Sequence, residues 1–339
     1  MNLAMVVHGP EAFDAGDVRR LIGLLSPRQV LVAGVMARTA AEESGLPVVC
    51  TGERPSVVLG ALVAPACLVN RGKTPESGRI FGELVSARLS GLIQIECSSD
   101  TVYCWNHGDA ALAEDIARRT GYTLRCAESS GARRAGMREI RGCIRGEAVF
   151  VNGIVVGTAT AETVVLAGGG GSLRAISGLE PKPHGFEKLL RTGAPDIGTA
   201  WCKSGMVRCT PPRQGRRTVR GGRVAVIDHC GHTLYDGIDE DVCGVLAVGD
   251  DTTAICGHIC SHAGVPVFGV VDGDADGIVA PGFAPGSVVV EVLDGRDDDI
   301  GREVAEGRDL LADCWEEWVE ETLRSLAGRV RIVLDLREE

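Results

Sequence analysis

The chain has 339 residues, a formal net charge of -11 at pH 7 and a pI near 5.2, which argues against a general nucleic-acid binder or a protein that binds anionic membranes. No apolar run reaches the roughly 18 residues of a membrane span, and the amino terminus lacks the pattern of a signal peptide. The thirteen cysteines have no regular spacing. A cytoplasmic protein with reduced thiols is therefore expected.

The first predicted elements alternate between strands and helices. Apolar runs predict strands at 3–7, 29–35, 46–52, 66–70, 91–97 and 122–127, and helical spacing predicts helices at 17–26, 36–44, 76–89 and 109–121. This alternation is typical of a doubly wound α/β domain with a mostly parallel, Rossmann-like sheet, predicted here over residues 1–131.

Two loops of this first domain follow strands and carry candidate functional residues. His8 and Glu11 lie directly after the first strand, where a histidine and a carboxylate can act as a catalytic acid/base pair. The alternative is a structural histidine in a turn. A third segment, residues 104–107 with Trp105, is interpreted as a loop that either lines a pocket or covers the domain edge.

The second of these loops, residues 70–74, reads Asn-Arg-Gly-Lys-Thr and resembles part of a phosphate-binding P-loop. Cys67 stands where the full motif needs glycine, so this is not a Walker motif. The prediction is a cofactor-binding or anion-binding loop, beside a helix start, formed by Asn70, Lys73, Thr74 and Arg79. A solvated basic loop is the alternative.

The middle of the chain changes character twice. Residues 132–180 alternate between apolar and polar, and Asn152-Gly153 between two apolar runs predicts a hairpin, so a small antiparallel β module is expected. Residues 181–222 form a basic connector, whose positive side chains include Lys182, Lys188, Lys203, Arg213, Arg216, Arg217 and Arg220. They predict either a positive wall for a phosphorylated substrate or a nucleic-acid backbone, or a solvated linker.

Residues 223–339 are predicted to form a second α/β domain with an acidic edge. Apolar runs at 224–228, 244–251 and 265–276 predict parallel strands, and Asp228, Asp250 and Asp272 recur at 22-residue intervals. The carboxyl ends of parallel strands meet at one sheet edge, where ligands bind.

Crowded carboxylates at such an edge favour a hard cation, Mg²⁺, Mn²⁺ or Ca²⁺, and Mg²⁺ or Mn²⁺ is the predicted cofactor. The predicted metal ligands are Asp250, Asp251, Asp272, Asp274 and Asp276, and Asp228 is a candidate catalytic residue. Thr252 and Thr253, at the start of the following helix, are candidates for holding a phosphate or cofactor. The alternative is that the acids are only a helix N-cap and turn residues.

The carboxyl-terminal part is predicted to continue with a strand at 287–295, a helix at 303–326 and an edge strand at 329–336. Since residues 278–286 are too few for a helix, the strand at 287–295 is expected to return antiparallel.

Three segments together resemble an uncharacterised protein family of methanogenic archaea, a domain of unknown function. They are VVHGPEAFDAG at 6–16, LVNRGKTPESGRIFG at 68–82 and GDDTTAICGHICSHAGVPVFGVVDGDADG at 249–277. The resemblance implies an archaeal lineage and a cytosolic setting. Locally, the acids from GDDTTA to DGDADG also resemble the acidic motif of Toprim domains, which implies Mg²⁺-dependent phosphoryl chemistry.

The functional hypothesis is a Mg²⁺-dependent enzyme that acts on a nucleotide or another phosphorylated small molecule. One alternative is a non-catalytic nucleotide or metal sensor, or an assembly factor, that uses the same sites for binding only. Another is a Toprim-like nucleic-acid protein that binds DNA through Arg213 to Arg223. A homo-oligomer is compatible with each of them.

Overall fold

The computed structural model describes residues 2–130, 136–169, 171–191, 193, 195–205, 208–216, 220–228, 230–272 and 282–337. The chain forms two compact units. Unit 1 consists of residues 1–145, 160–167 and 175–178, and unit 2 of residues 146–159, 168–174 and 179–339. The domain boundaries predicted at residues 131, 180 and 222 stay predictions.

Unit 1 contains a seven-stranded sheet. Its strands are β1 (Ala4–His8), β2 (Gln29–Ala33), β3 (Val49–Thr51), β4 (Ala66–Asn70), β5 (Gly91–Glu96), β6 (Thr101–Asn106) and β7 (Thr123–Ala127). They lie in the order β3-β2-β1-β4-β5-β6-β7. The first five are parallel, and β6 runs antiparallel to β5. The mostly parallel, Rossmann-like sheet predicted for this part of the chain is therefore confirmed.

The helices of unit 1 connect these strands. They are α1 (Glu11–Asp14), α2 (Asp17–Leu25), α3 (Val35–Ser44), α4 (Pro55–Ala61), α5 (Pro75–Ser86) and α6 (Ala110–Thr120). In α2 the buried apolar residues are Val18, Leu21 and Leu25, the spacing of one helix face. These side chains belong to a cluster with Met5, Val7 and other residues on one face of the sheet. A second cluster, which includes Leu68 and Trp105, is formed by the alternate side chains on the opposite face of the same sheet.

The interpretation of residues 104–107 as a loop was wrong for most of that segment. Cys104, Trp105 and Asn106 belong to β6, and Trp105 is fully buried, with its Nε1 donating a hydrogen bond to Gln94 Oε1 at 2.8 Å. The tryptophan is part of the core because the run Thr101 to Asn106 pairs along its whole length with β5. It therefore lines no ligand pocket.

Two small sheets come from the middle of the chain. One contains β8 (Met137–Arg141), β11 (Thr163–Gly169) and β12 (Ser172–Ser177), in the order β12-β11-β8. The other contains β9 (Ala148–Val151), β10 (Ile154–Ala159), β13 (Leu179–Pro181) and β14 (Cys202–Ser204), in the order β13-β10-β9-β14. Strands β9 and β10 are antiparallel and joined by Asn152 and Gly153, both with positive φ. The predicted hairpin is confirmed.

Unit 2 contains a six-stranded sheet. Its strands are β15 (Gly222–Asp228), β16 (Val242–Val248), β17 (Val267–Val271), β18 (Val288–Val292), β19 (Leu311–Ala312) and β20 (Val330–Asp335). They lie in the order β19-β15-β16-β17-β18-β20. The four central strands are parallel, and the two edge strands are antiparallel to their neighbours. The second mostly parallel sheet is thus also confirmed.

The helices of unit 2 are α7 (Pro183–Arg191), α8 (Leu234–Gly237), α9 (Asp250–Ala263), α10 (Asp297–Gly307) and α11 (Trp315–Ser325), with a 3-10 turn at Gly231–Thr233. Helix α9 packs on one face of the sheet, where a Cβ at Gly269 would meet Thr253. Helices α10 and α11 cover the other face, in a cluster that includes Phe268, Ile300 and Trp318. The buried strands are covered on both sides, as their continuous apolar runs predict.

Two predictions for the carboxyl-terminal part were wrong. Strand β18 is parallel to β17, because the 16 residues between Val271 and Val288 need no helix to return along a five-residue strand of about 17 Å. The single helix predicted at 303–326 is two helices, α10 and α11. Between them β19 pairs with β15 at the sheet edge. Within the described ranges, none of the helices has the length and apolarity needed to cross a membrane.

Candidate functional site

Three carboxylates converge at the carboxyl edge of the six-stranded sheet in unit 2. Asp250 begins α9 after β16, Asp272 follows β17 directly, and Asp297 begins α10 after β18. Each offers an oxygen that lies within 4.8 Å of the others, and among the described residues this is the group of acids, cysteines or histidines that meets that criterion. Asp297 is fully buried, and the other two are partly buried. Such a group can hold a metal ion.

The backbone at Gly249 places Asp250 at this edge. Gly249 precedes α9 with φ 101° and ψ 148°, a conformation open essentially to glycine alone. Its N-H donates to Val270 O of the neighbouring strand at 3.0 Å. Helix α9 has no side-chain N-cap. Asp250 and Asp251 are therefore first-turn residues, and the alternative that these two acids act as the N-cap was wrong.

Lys188 of α7 neutralises one of the carboxylates. Its Nζ donates to Asp297 Oδ1 at 2.7 Å and to Oδ2 at 2.8 Å, and lies 3.7 Å from Asp298 Oδ1. Lys188 itself is only 8% exposed. With all three carboxylates ionised, their charge of -3 and the +1 of Lys188 leave -2 at the site. A divalent cation would balance that charge.

Further basic side chains lie around the carboxylates. His184 Nε2 is 3.5 Å from Asp272 Oδ2, and Lys203 Nζ donates to Asp251 Oδ1 at 3.0 Å. Lys182 and His184 line the same pocket as Asp250 and Asp272. Acidic and basic side chains thus line the same small space.

The crowding of the acids changes how Asp250 titrates. Burial, together with the nearby charges of Asp272 and Asp297 and a hydrogen bond with Asp272, raises the pKa of Asp250 to about 8. Burial also raises the pKa of Asp297, although Lys188 opposes this rise. At neutral pH Asp250 is therefore largely protonated, and a cation that replaces this proton would offset the crowding of the acids.

The pocket above the carboxylates is narrow. It is lined by residues of β10, α7 and the acidic edge, including Gly153, Val155, Lys182, Gly185 and Asp251. Its free volume is about 20 Å³, more than the ~10–15 Å³ that one water requires. A Cβ at Gly185 would lie 1.9 Å from Val155 O, so glycine lets α7 approach β10 closely. The pocket therefore has room for one small ion or water, or for one group of a larger ligand.

The other acids and threonines predicted near this edge have different surroundings. Asp251 lines the pocket but is paired with Lys203, and Asp228 ends β15 with an exposed side chain. Thr252 and Thr253 are buried in α9, where Thr253 Oγ1 lies 3.5 Å from Ala247 O. Asp274 and Asp276 lie outside the described residues, as does Arg217 of the basic connector.

His8 and Glu11 lie in unit 1. Because a carbonyl oxygen only accepts, the 3.0 Å contact of His8 Nδ1 with Ala33 O places the proton on Nδ1. The ring stacks on Phe81 at 4.4 Å between centroids, and burial lowers the His8 pKa. The carboxylate of Glu11 lies against Gly9. A neutral His8 has a lone pair on Nε2, and its catalytic role stays a prediction.

The loop at 70–74, also in unit 1, is held by interactions within that unit. Buried Asn70 donates to Gly78 O and accepts from Gln94 Nε2, and Thr74 forms a capping box with Ser77. Arg79 bonds the carboxylates of Glu76 and Glu83.

Fully buried Glu96 accepts hydrogen bonds from the N-H of Gly72 and from Ser98 and Ser99, which fixes the loop. Lys73 is exposed. Anion binding by Asn70, Lys73, Thr74 and Arg79 stays a prediction.

The sequence reasoning missed Asp297 and assigned no specific partner to Lys188 or His184. Residues 297–299 form an Asp triplet shortly after the strand predicted at 287–295. The triplet begins α10, and acids favour the first turn of a helix because of its dipole. That pattern, combined with a parallel β18, would have placed Asp297 beside Asp250 and Asp272.

Comparison with known proteins gives a family and one relative to report. Residues 5–309 match a family described as an uncharacterized protein conserved in archaea (DUF2117). An uncharacterized protein of Methanocaldococcus jannaschii is 32% identical over 350 residues, which cover 95% of each chain. No solved structure matches. The predicted archaeal resemblance is confirmed: the chain belongs to this uncharacterized archaeal family.

Proposed function

We propose that this protein is a Mg²⁺- or Mn²⁺-dependent enzyme that acts on a nucleotide or another phosphorylated small molecule. The observation that carries the proposal is the convergence of Asp250, Asp272 and Asp297 within 4.8 Å, where Lys188 pairs with Asp297. Oxygen ligands of this kind suit Mg²⁺ and Mn²⁺. Without a cation, burial and repulsion protonate Asp250.

The surroundings of the carboxylates support a phosphorylated substrate. Mg²⁺ usually keeps several waters and is bound through one or two carboxylates and the phosphates of its substrate. Lys182 and His184 line the pocket on the side of α7, where the ammonium of Lys182 supplies positive charge and the His184 ring a nitrogen that can hydrogen-bond such a phosphate. The ion would polarise the phosphoryl oxygens and position a water or hydroxyl for attack.

Thermal unfolding of the metal-free protein tests the cation site. A ligand at a hundred times its dissociation constant stabilises the native state by about 2.7 kcal/mol, which is roughly 5–10 °C for a folding unit of this size. Mg²⁺ or Mn²⁺ is expected to raise Tm in the wild type but not in Asp250→Asn or Asp272→Asn. The matched control is Asp294→Asn, an exposed acid three residues before Asp297. An equal shift in all four proteins would refute the site.

Turnover is tested separately. Release of phosphate or of a second product from a panel of nucleotides and sugar phosphates is measured with Mg²⁺ and with a chelator. Metal-dependent product formation that is lost in Asp272→Asn supports the enzyme. A ligand-dependent Tm shift without product would instead identify a binding protein.

A further inference from the structure

Trp201 is the one tryptophan of this chain that is open to solvent. Its exposed fraction is 47%, whereas Trp105, Trp315 and Trp318 are exposed by 0%, 2% and 6%. An indole is a large apolar group that usually contributes by being buried. A tryptophan left open beside a pocket is suited to cover an apolar or planar part of a ligand.

The backbone holds Trp201 at the hairpin that forms one wall of the acidic pocket. Its N-H donates to Asn152 Oδ1 at 3.0 Å, and Asn152 N-H donates to Trp201 O at 2.8 Å. The next residue, Cys202, pairs with Val151 as β14 begins. Gly153, which follows Asn152, lines the pocket. The backbone that carries the indole is therefore fixed beside the hairpin that lines the pocket.

Lys203 connects the indole to the acidic edge. Its Nζ lies 4.5 Å from the ring centroid of Phe150 and 5.6 Å from that of Trp201, both within the range of cation-π attraction. The same Nζ is 3.0 Å from Asp251 Oδ1. The Trp201 ring centroid is thus no more than about 8.6 Å from that oxygen, the sum of these two distances. The ribose and phosphate of a nucleotide span a separation of this order.

We infer that Trp201 is a stacking platform for the planar base of a nucleotide whose phosphate binds at the carboxylate edge. This inference rests on the proposed function and narrows its substrate class to phosphate esters that carry an aromatic ring. Every base has a π-face, so stacking on one indole binds different bases with similar strength. Trp201 acts as a specificity residue that separates nucleotides from sugar phosphates.

Binding to the full-length protein in Mg²⁺ tests this role. The probes are ATP, GTP, UTP and CTP as ring-bearing ligands, and inorganic tripolyphosphate and ribose 5-phosphate as ligands without a ring. Affinities are measured by calorimetry for the wild type, Trp201→Ala and Trp201→Phe. Quenching by iodide reports in parallel whether the exposed indole becomes covered.

Trp201→Ala is expected to weaken the four nucleotides by about 5- to 150-fold, the range for loss of one base-aromatic stack, and to leave tripolyphosphate and ribose 5-phosphate unchanged. Trp201→Phe keeps a ring and should recover most of the affinity. In the wild type, bound nucleotide should protect the indole from iodide.

The possible failures have different meanings. If nucleotides bind the wild type no better than tripolyphosphate does, or if Trp201→Ala weakens ring-bearing and ring-free ligands equally, the stacking role is refuted and the proposed phosphate site stands. If no phosphorylated probe binds the wild type in Mg²⁺, both the proposed function and this inference are refuted.

Discussion

Replacing Lys188 by methionine is expected to destabilise unit 2 strongly. The substitution keeps an unbranched side chain of similar length but removes the ammonium that contacts both oxygens of Asp297 at 2.7 and 2.8 Å. Asp297 is fully buried, so water cannot replace the lost partner. Breaking a buried ion pair by removing one partner typically costs about 3–5 kcal/mol, and the nearby charge of Asp272 adds to that cost.

Urea unfolding of the metal-free protein at pH 7 measures the effect as a lower midpoint with an unchanged m-value. In thermal unfolding, the same loss corresponds to a decrease in Tm of roughly 6–20 °C. The control is Arg331→Met, which breaks the exposed ion pair with Glu291 in the same sheet and should cost at most about 1 kcal/mol.

The double variant Lys188→Met, Asp297→Asn tests whether the loss of stability comes from the unpaired charge of Asp297. Removing the second charge leaves a neutral pair, so much of the lost stability should return, with a coupling energy of about 0.5–3 kcal/mol or more. Added Mg²⁺ should stabilise Lys188→Met more than the wild type, because the site then lacks the positive charge of Lys188. A single variant within about 1 kcal/mol of the wild type, or a double variant no better than the single one, would refute the role assigned to Lys188.

Four further predictions concern three other residues, Asp250, Gly249 and Thr74. Since the pKa of Asp250 is raised to about 8, a proton competes with the cation for this carboxylate. The affinity for Mg²⁺, measured by calorimetry, should therefore rise about tenfold per pH unit from pH 6 toward 8 and level off above pH 8. An affinity that does not change with pH would contradict the site. In the metal-free protein the same residue should make the free energy of unfolding fall as pH rises from about 4 to about 8, because the unfolded chain, with an ordinary Asp pKa near 3.9, loses its proton first. Gly249→Ala forces a side chain into φ 101° and should cost about 1–3 kcal/mol in urea unfolding, whereas Gly307→Ala, where a Cβ meets nothing within 4 Å, should be tolerated. Thr74→Ala removes the capping box of α5 and should cost unit 1 about 1 kcal/mol, with Thr74→Ser as the variant that restores stability.

Much of the fold was predictable because its signals are local. Continuous apolar runs identified strands β15, β16 and β17. The chain segments between these strands are long enough to cross back over the sheet, and the strands are parallel, as predicted. Asn152-Gly153 predicted its hairpin because few residue pairs accept positive φ at both positions. Asp250 and Asp272 were placed at one edge by the same reasoning, and the structure brings them together.

Other features depended on contacts between distant parts of the chain. The 16 residues before β18 are compatible with either a parallel or an antiparallel strand, so their sequence does not fix the direction of β18. The position of Asp297 depends on that direction. Lys188 stands 109 residues before its partner, and nothing in the connector's composition selects that lysine over Lys182 or Lys203. The local sequence shows which segments are strands and which carboxylates follow the strand ends. Which side chains share one small space, and hence which of them can bind an ion together, is settled only when sheet order, strand direction and the packing of α7 are fixed by the tertiary structure.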